Sequence, residues 1–189
     1  MKRLVNEFRD YARLPSAELK PVQLNDLVAE LMVLYANEPT DHERRAVVVT
    51  ELDAECPCIM GDEQQLRQVI HNLLQNAQDA CEIKGLLPQN ARVVLRTEWN
   101  TSRQRVRLTV TDTGPGFEPN ILKRAFEPYV TTKAKGTGLG LAVVKKIADD
   151  HAAKIELGNV LEAGEIQGAQ VSLSFALYST MGRSQAPTP

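Results

Sequence analysis

The side chains best suited to chemistry lie in three short stretches, at residues 72–79, 112–117 and 136–141. The first carries Asn72, Asn76 and Asp79, with Gln65 two turns earlier. At about 100° per residue these four share one edge of a helix, bordering an apolar face made by Leu66, Val69, Ile70, Leu73, Leu74, Ala77, Ala80 and Cys81. Asparagine is a mediocre helix former because its side chain competes for backbone hydrogen bonds. Two of them one turn apart beside a core point to something ordered and polar lying against them; the competing reading is a pair of solvated surface amides. A hard cation such as Mg²⁺ takes oxygen ligands and keeps waters and phosphate oxygens as the others. The Asn76 side-chain carbonyl can supply one such ligand.

The second stretch is Asp112-Thr113-Gly114-Pro115-Gly116-Phe117. The alternation of Val106, Leu108 and Val110 continues to Asp112, which puts a carboxylate on the core-facing side at a strand's end. Unpaired there it would be costly, so it calls for a donor. The two glycines admit a flat group close to the backbone. An adenine ring donating its exocyclic amine to Asp112 fits, and so does a plain tight turn with Asp as its first residue. The third stretch, Gly136-Thr137-Gly138-Leu139-Gly140-Leu141, directly precedes a helical pattern. Outward-pointing N–H groups and a helix N-terminus together cradle phosphate. It is not the Rossmann fingerprint, since Leu141 fills the last glycine position and no strand precedes it, and no Walker GxxxxGK[ST] occurs in the chain.

These stretches need elements to hold them. Asp62 reads as the N-cap of the helix over 62–81. Before it, residues 1–14 read as a helix halted by Pro15, too short to stand alone and so the end of a longer one. Residues 15–21, with two prolines, read as a linker; a helix over about 25–35, a strand at 46–52 and a short strand around Ile59 follow. Strands at 92–99 and 105–112 form an antiparallel hairpin. A short helix at 119–124, a polar loop to Lys135, a helix at 140–149 and strands at 154–161 and 169–177 complete the pattern. Residues 179–189 read as a frayed tail. This order predicts an α+β two-layer sandwich: one mixed, mostly antiparallel sheet with helices on one face, plus the short N-terminal helix.

The totals agree with one domain carrying a short appendage: 189 residues, 43% hydrophobic and 24% charged, enough for a packed core and too apolar for disorder. A net charge of -2 gives no reason to expect nucleic acid or a basic membrane patch. No apolar run approaches the roughly 20 residues needed to cross a bilayer, and the opening MKRLVNEFRD lacks a signal-peptide apolar region. A soluble, cytoplasmic fragment without membrane contact is expected, any anchor lying upstream. Cys56, Cys58 and Cys81 make neither a disulfide framework nor a zinc spacing.

Taken together, NLLQNAQDA at 72–80, DTGPGF at 112–117, FEPYVTTK at 126–133 and GTGLGL at 136–141 resemble, in order and spacing, the four boxes of the histidine-kinase catalytic domain of the Bergerat-fold (GHKL) ATPases. EFRDYARLP and FEPYVTTK look most like sensor kinases of nitrogen-regulation type. The resemblance spans roughly residues 20–178 and implies ATP and Mg²⁺ as cofactors. It implies that Asn76 is the Mg²⁺ ligand with Asn72 supporting the phosphates, and that Asp79 belongs to the nucleotide-binding set. Asp112 would recognise adenine, with Gly114, Gly116 and Phe117 shaping the base pocket. Gly136, Thr137, Gly138, Leu139, Gly140 and Leu141 would meet the phosphates. Phe126 to Gly138 would form a mobile ATP lid in which Thr131 and Thr132 order the loop and Lys133 and Lys135 neutralise phosphate charge. Asn72, Asn76 and Lys133 are the implied catalytic residues.

A kinase of this family transfers the γ-phosphoryl to a histidine on a dimerisation helix. His42 sits in a loop, His71 points outward from its helix, and His151 is read as a surface residue after the last helix. The acceptor is therefore expected upstream of Met1, with residues 1–14 ending the second dimerisation helix. The implied partners are the dimerisation/histidine-phosphotransfer domain of the same kinase and a response regulator. In gyrase and chaperone relatives the Asn72 position carries a carboxylate that activates water; an amide cannot act as a general base, so slow hydrolysis is expected. The alternatives are a GHKL-type ATPase, an anti-sigma serine kinase, or a degenerate nucleotide-binding scaffold.

Overall fold

The computed structural model describes residues 14–37, 46–86, 88–133 and 136–177. The expected helix over 1–14, apart from Leu14, and the expected tail at 179–189 lie outside the described residues, as do His42 and Lys135.

Strand β1 (Lys20–Val22) leads into α1 (Leu24–Asn37), followed by β2 (Val47–Leu52) and β3 (Ile59–Gly61). Helix α2 (Glu63–Lys84) comes next, then β4 (Arg92–Asn100), β5 (Arg105–Asp112) and the single turn α3 (Pro119–Leu122). Helix α4 (Gly140–Asp150), β6 (Lys154–Glu162) and β7 (Glu165–Ala176) follow. Five strands form one sheet in the order β2-β4-β5-β7-β6, with β2 parallel to β4 and every other pair antiparallel. A separate two-stranded sheet pairs β1 with β3. The expected α+β sandwich with a mixed, mostly antiparallel sheet is the observed one.

The alternation of β4 and β5 is what seats the helices. Val93, Leu95 and Thr97, and Val106, Leu108 and Val110, are buried beneath Leu66, Val69, Ile70, Leu73, Leu74 and Ala77 of α2 and Val143, Val144 and Ile147 of α4. The outward positions Arg92, Arg96 and Glu98 stay exposed. Asp62 caps α2 through Oδ1, which accepts the Gln65 N–H at 3.1 Å, and Gly85 ends the helix in the left-handed conformation at φ 65°.

Four readings change. Lys20 and Pro21 belong to β1 rather than to a linker; proline is tolerated there because it is a short edge strand. Strand β7 starts at Glu165, not Ala169, and its first residues pair across an irregularity at Val160/Leu161. Gln65 lies on the same edge of α2 as the asparagines but is buried at the far end, where its Nε2 donates to Pro15 O at 2.9 Å, so it does not line the cavity with them. His151 is buried, not on the surface. Ala152 turns left-handed at φ 48°, and the ring tucks inward: Nε2 accepts the Asp62 N–H at 2.9 Å and Nδ1 lies 2.8 Å from Ile147 O. That histidine ties the end of α4 to the start of α2. His71 is exposed, as expected.

Candidate active site

A cavity of about 620 Å³ opens between α2, the turn after β5, the segment after α3 and the start of α4. Asn72, Asn76 and Asp79 line it one turn apart along α2, and the same stripe continues through Ala80 to Ile83. The helix therefore presents amides and a carboxylate at one end of the cavity and apolar carbon at the other. Asp112 lines it from β5, and Gly136, Thr137, Gly138, Gly140 and Leu141 line it from the glycine-rich loop and α4. Gly116, Phe117, Thr131, Thr132 and Lys133 also reach it. Three expected site residues do not: Gly114 and Leu139 are buried behind the wall, and Phe126 is half-buried outside it.

At the apolar end, Asp112 Oδ1 accepts the Gly114 N–H at 2.8 Å and the Ala169 N–H at 3.2 Å. Oδ2 has no hydrogen bond among the described residues. Burial pushes the carboxyl above the usual range, and the two amides, Lys133 and Lys84 pull it part of the way back. This crowding depends on glycine: a Cβ on Gly168 would lie 1.7 Å from Asp112 O. A Cβ on Gly114 would lie 2.8 Å from Ala80 Cβ, so this glycine lies flush on α2 while Gly116 and Phe117 of the same turn reach the cavity. Lys84 Nζ pins that turn through Thr113 O at 3.0 Å and Gly114 O at 3.2 Å. Asn159 holds Phe117 by accepting its N–H at 2.6 Å and donating to its carbonyl at 2.9 Å.

At the polar end, Gly138 takes φ 69° and its carbonyl accepts the Tyr129 N–H at 3.0 Å. A Cβ there would lie 2.6 Å from Tyr129 C, so only glycine lets the two loops touch. Thr131 Oγ1 accepts the Lys133 N–H at 3.0 Å. Lys133 Nζ then reaches α2, donating to Asn76 Oδ1 at 3.2 Å and to Asp79 Oδ2 at 2.8 Å. Gln75 Nε2 donates to Asp79 Oδ1 at 2.7 Å. Among the described residues no group of three His, Cys, Asp or Glu could hold a metal. The donor set is one amide oxygen beside one carboxylate, which suits a hard cation that takes its remaining oxygens from phosphate and water.

Gln75, Lys84, Asn159 and Gly168 were not among the expected site residues. Gln75 had a signal, an amide one turn from Asn72 on the same helix. Asn159 and Gly168 had none, because their contacts cross 42 and 56 positions of chain.

The family profile described as "Histidine kinase-, DNA gyrase B-, and HSP90-like ATPase" matches residues 61–179. The chain belongs to this ATPase family. Over 181 residues it is 33% identical to a Rickettsia bellii protein carrying the name sensor histidine kinase NtrY-like, covering 94% of this chain and 27% of that protein. It is similar in structure to ShkA, crystallised full-length with AMPPNP, with TM-score 0.74 and 30% identity over 94% of this chain and 36% of ShkA. The catalytic domain of the histidine kinase ThkA matches with TM-score 0.68 and 28% identity over 84% of this chain and 95% of that domain. ThkA has also been crystallised with the response regulator TrrA; that structure matches with TM-score 0.71 and 25% identity, over 92% of this chain and 46% of that one. The fold is thus that of histidine-kinase catalytic domains. The chain spans about a quarter of the length of the first curated relatives it matches.

Proposed function

We propose that this chain is the catalytic domain of a sensor histidine kinase: it binds ATP with Mg²⁺ and transfers the γ-phosphoryl to a histidine outside residues 1–189. The acceptor would belong to the dimerisation/histidine-phosphotransfer domain of the same kinase and would in turn feed a response-regulator aspartate. One observation carries this reading: Asn76, Asp112 and Gly138, distant in sequence, line a single cavity. The Oδ2 of Asp112, without a hydrogen bond among the described residues, suits the exocyclic amine of adenine, and the apolar wall of Ala80, Val110, Ile83 and Ile166 suits the ring. Gly136, Gly138 and the N-terminus of α4 suit the phosphates, and Lys133 supplies a cation beside them. Asn76 Oδ1 would hold Mg²⁺, whose charge would neutralise phosphate oxygens as the terminal group leaves. Phosphoryl transfer asks mainly for positioning and charge stabilisation, and these side chains offer both. Asn72, an amide, offers no general base for water, which favours transfer over hydrolysis. A cytoplasmic site of action fits this reading, and among the described residues no helix is long and apolar enough to cross a membrane.

The test is to mix the chain with a purified domain bearing the acceptor histidine, Mg²⁺ and γ-labelled ATP. Acid-labile, base-stable label on that domain is the expected result. Steady release of inorganic phosphate with no labelled histidine would instead make the chain an ATPase.

A further inference from the structure

Lys133 is better held than a residue waiting for phosphate needs to be. It comes from the segment after α3, yet its ammonium bonds to two groups on α2: Asp79 Oδ2 at 2.8 Å and Asn76 Oδ1 at 3.2 Å. The side chains of Lys133 and Asp79 are only 24% and 29% exposed, so water screens this pair less than an ordinary surface ion pair. Asp79 is itself fixed from the other side, where Gln75 Nε2 donates to Oδ1. Two helical turns thus present one oriented carboxylate oxygen, and a lysine from 54 residues away takes it.

The ammonium that Asp79 Oδ2 holds also occupies Asn76 Oδ1, the amide oxygen read above as the ligand for a divalent cation. Resting on the reading of Asn76 as the metal ligand, we propose that Asp79 is a positioning residue that parks Lys133 on Asn76, so that the free protein carries its own cation where the metal belongs. An ammonium and a divalent ion cannot both sit on Asn76 Oδ1, because like charges at that separation repel strongly. Metal binding must displace Lys133 from Asn76, and Asp79, still holding the other N–H, keeps the ammonium within reach of the phosphates. Loss of the Asn76 contact removes one of the two anchors that Lys133 gives the segment Tyr129–Lys133, whose other end Gly138 holds through the Tyr129 N–H. Metal entry and loosening of that segment become one event.

Two measurements on the 189-residue chain test this. The first is amide hydrogen exchange of residues 129–133 in the nucleotide-free protein. Asp79→Asn and Lys133→Gln should each speed exchange about fivefold, the loss of one partly buried charge-assisted bond, while the charge-swapped D79K/K133D returns to within about twofold of wild type. Unchanged exchange in both single variants overturns the proposal. The second is the Mg²⁺ concentration at half-maximal ADP binding, ADP being chosen because it lacks the γ-phosphoryl that Lys133 would otherwise favour. In Lys133→Gln this midpoint should fall about threefold, since the competing ammonium is gone. A midpoint that stays or rises shows that Lys133 serves phosphate alone and overturns the proposal. If the wild-type chain takes up no ADP at any Mg²⁺ concentration, the kinase reading fails instead, and the exchange experiment still decides whether Asp79 holds Lys133.

Discussion

Asp112 lines the cavity with Oδ1 committed to the Gly114 and Ala169 amides, while Oδ2 has no hydrogen bond among the described residues. Asp112→Asn should therefore weaken ADP by roughly tenfold to a hundredfold, the range for a lost hydrogen bond to a charged group, and leave inorganic triphosphate nearly unaffected. Equal losses for both ligands, read by calorimetry, would contradict adenine recognition there. The pH dependence follows from burial, which raises the carboxyl above the ordinary range. As pH falls through that raised value Oδ2 gains a proton and no longer serves as a bare acceptor, so adenine binding weakens earlier than an ordinary carboxylate would allow. Folding stability moves the other way. The native state takes up the proton before the unfolded chain does, so this group's contribution rises as pH falls through its folded pKa. Asp112→Asn should flatten both trends.

At the scale of elements, Asp62 joins three parts of the chain. Its carboxylate caps α2 at the Gln65 N–H and also accepts the Glu18 N–H at 2.9 Å, while its own N–H donates to His151. Asp62→Ala should cost about 0.5–2 kcal/mol in denaturant unfolding, the range for a lost N-cap. Burial opposes ionisation at Asp62, but the amides of Glu18, Gln65 and Gln64 with His151 outweigh it and hold the carboxyl low. The stability it contributes is present above the unfolded pKa and is lost as pH falls through the folded value. Much of this level was legible in the sequence. Asp62 as a cap, the apolar face of α2 and the alternation of β5 all follow from local periodicity. What periodicity misses is decided across the chain: β1 exists because Lys20–Val22 pairs with Ile59–Gly61, and His151 is buried because a left-handed Ala152 folds it under Asp62. Lys133 could be singled out as a cation near phosphate, but its partners 54 and 57 positions back could not.

For the whole molecule, the sheet sets the distance between the two ends of the cavity. β5 delivers Asp112, α2 lies across β4 and β5 to deliver Asn76, and α4, tied to the start of α2 through His151, brings the glycine loop to Asn76; a Cβ on Gly140 would lie 3.4 Å from Asn76 Nδ2. The site is therefore a property of the sandwich and not of any one motif. The most direct measurement is calorimetric titration of the chain with ADP, with and without Mg²⁺. Saturable binding that tightens at least tenfold when Mg²⁺ is added, about 1.4 kcal/mol, is the result this arrangement predicts. No heat of binding under either condition, or binding indifferent to the metal, would contradict it.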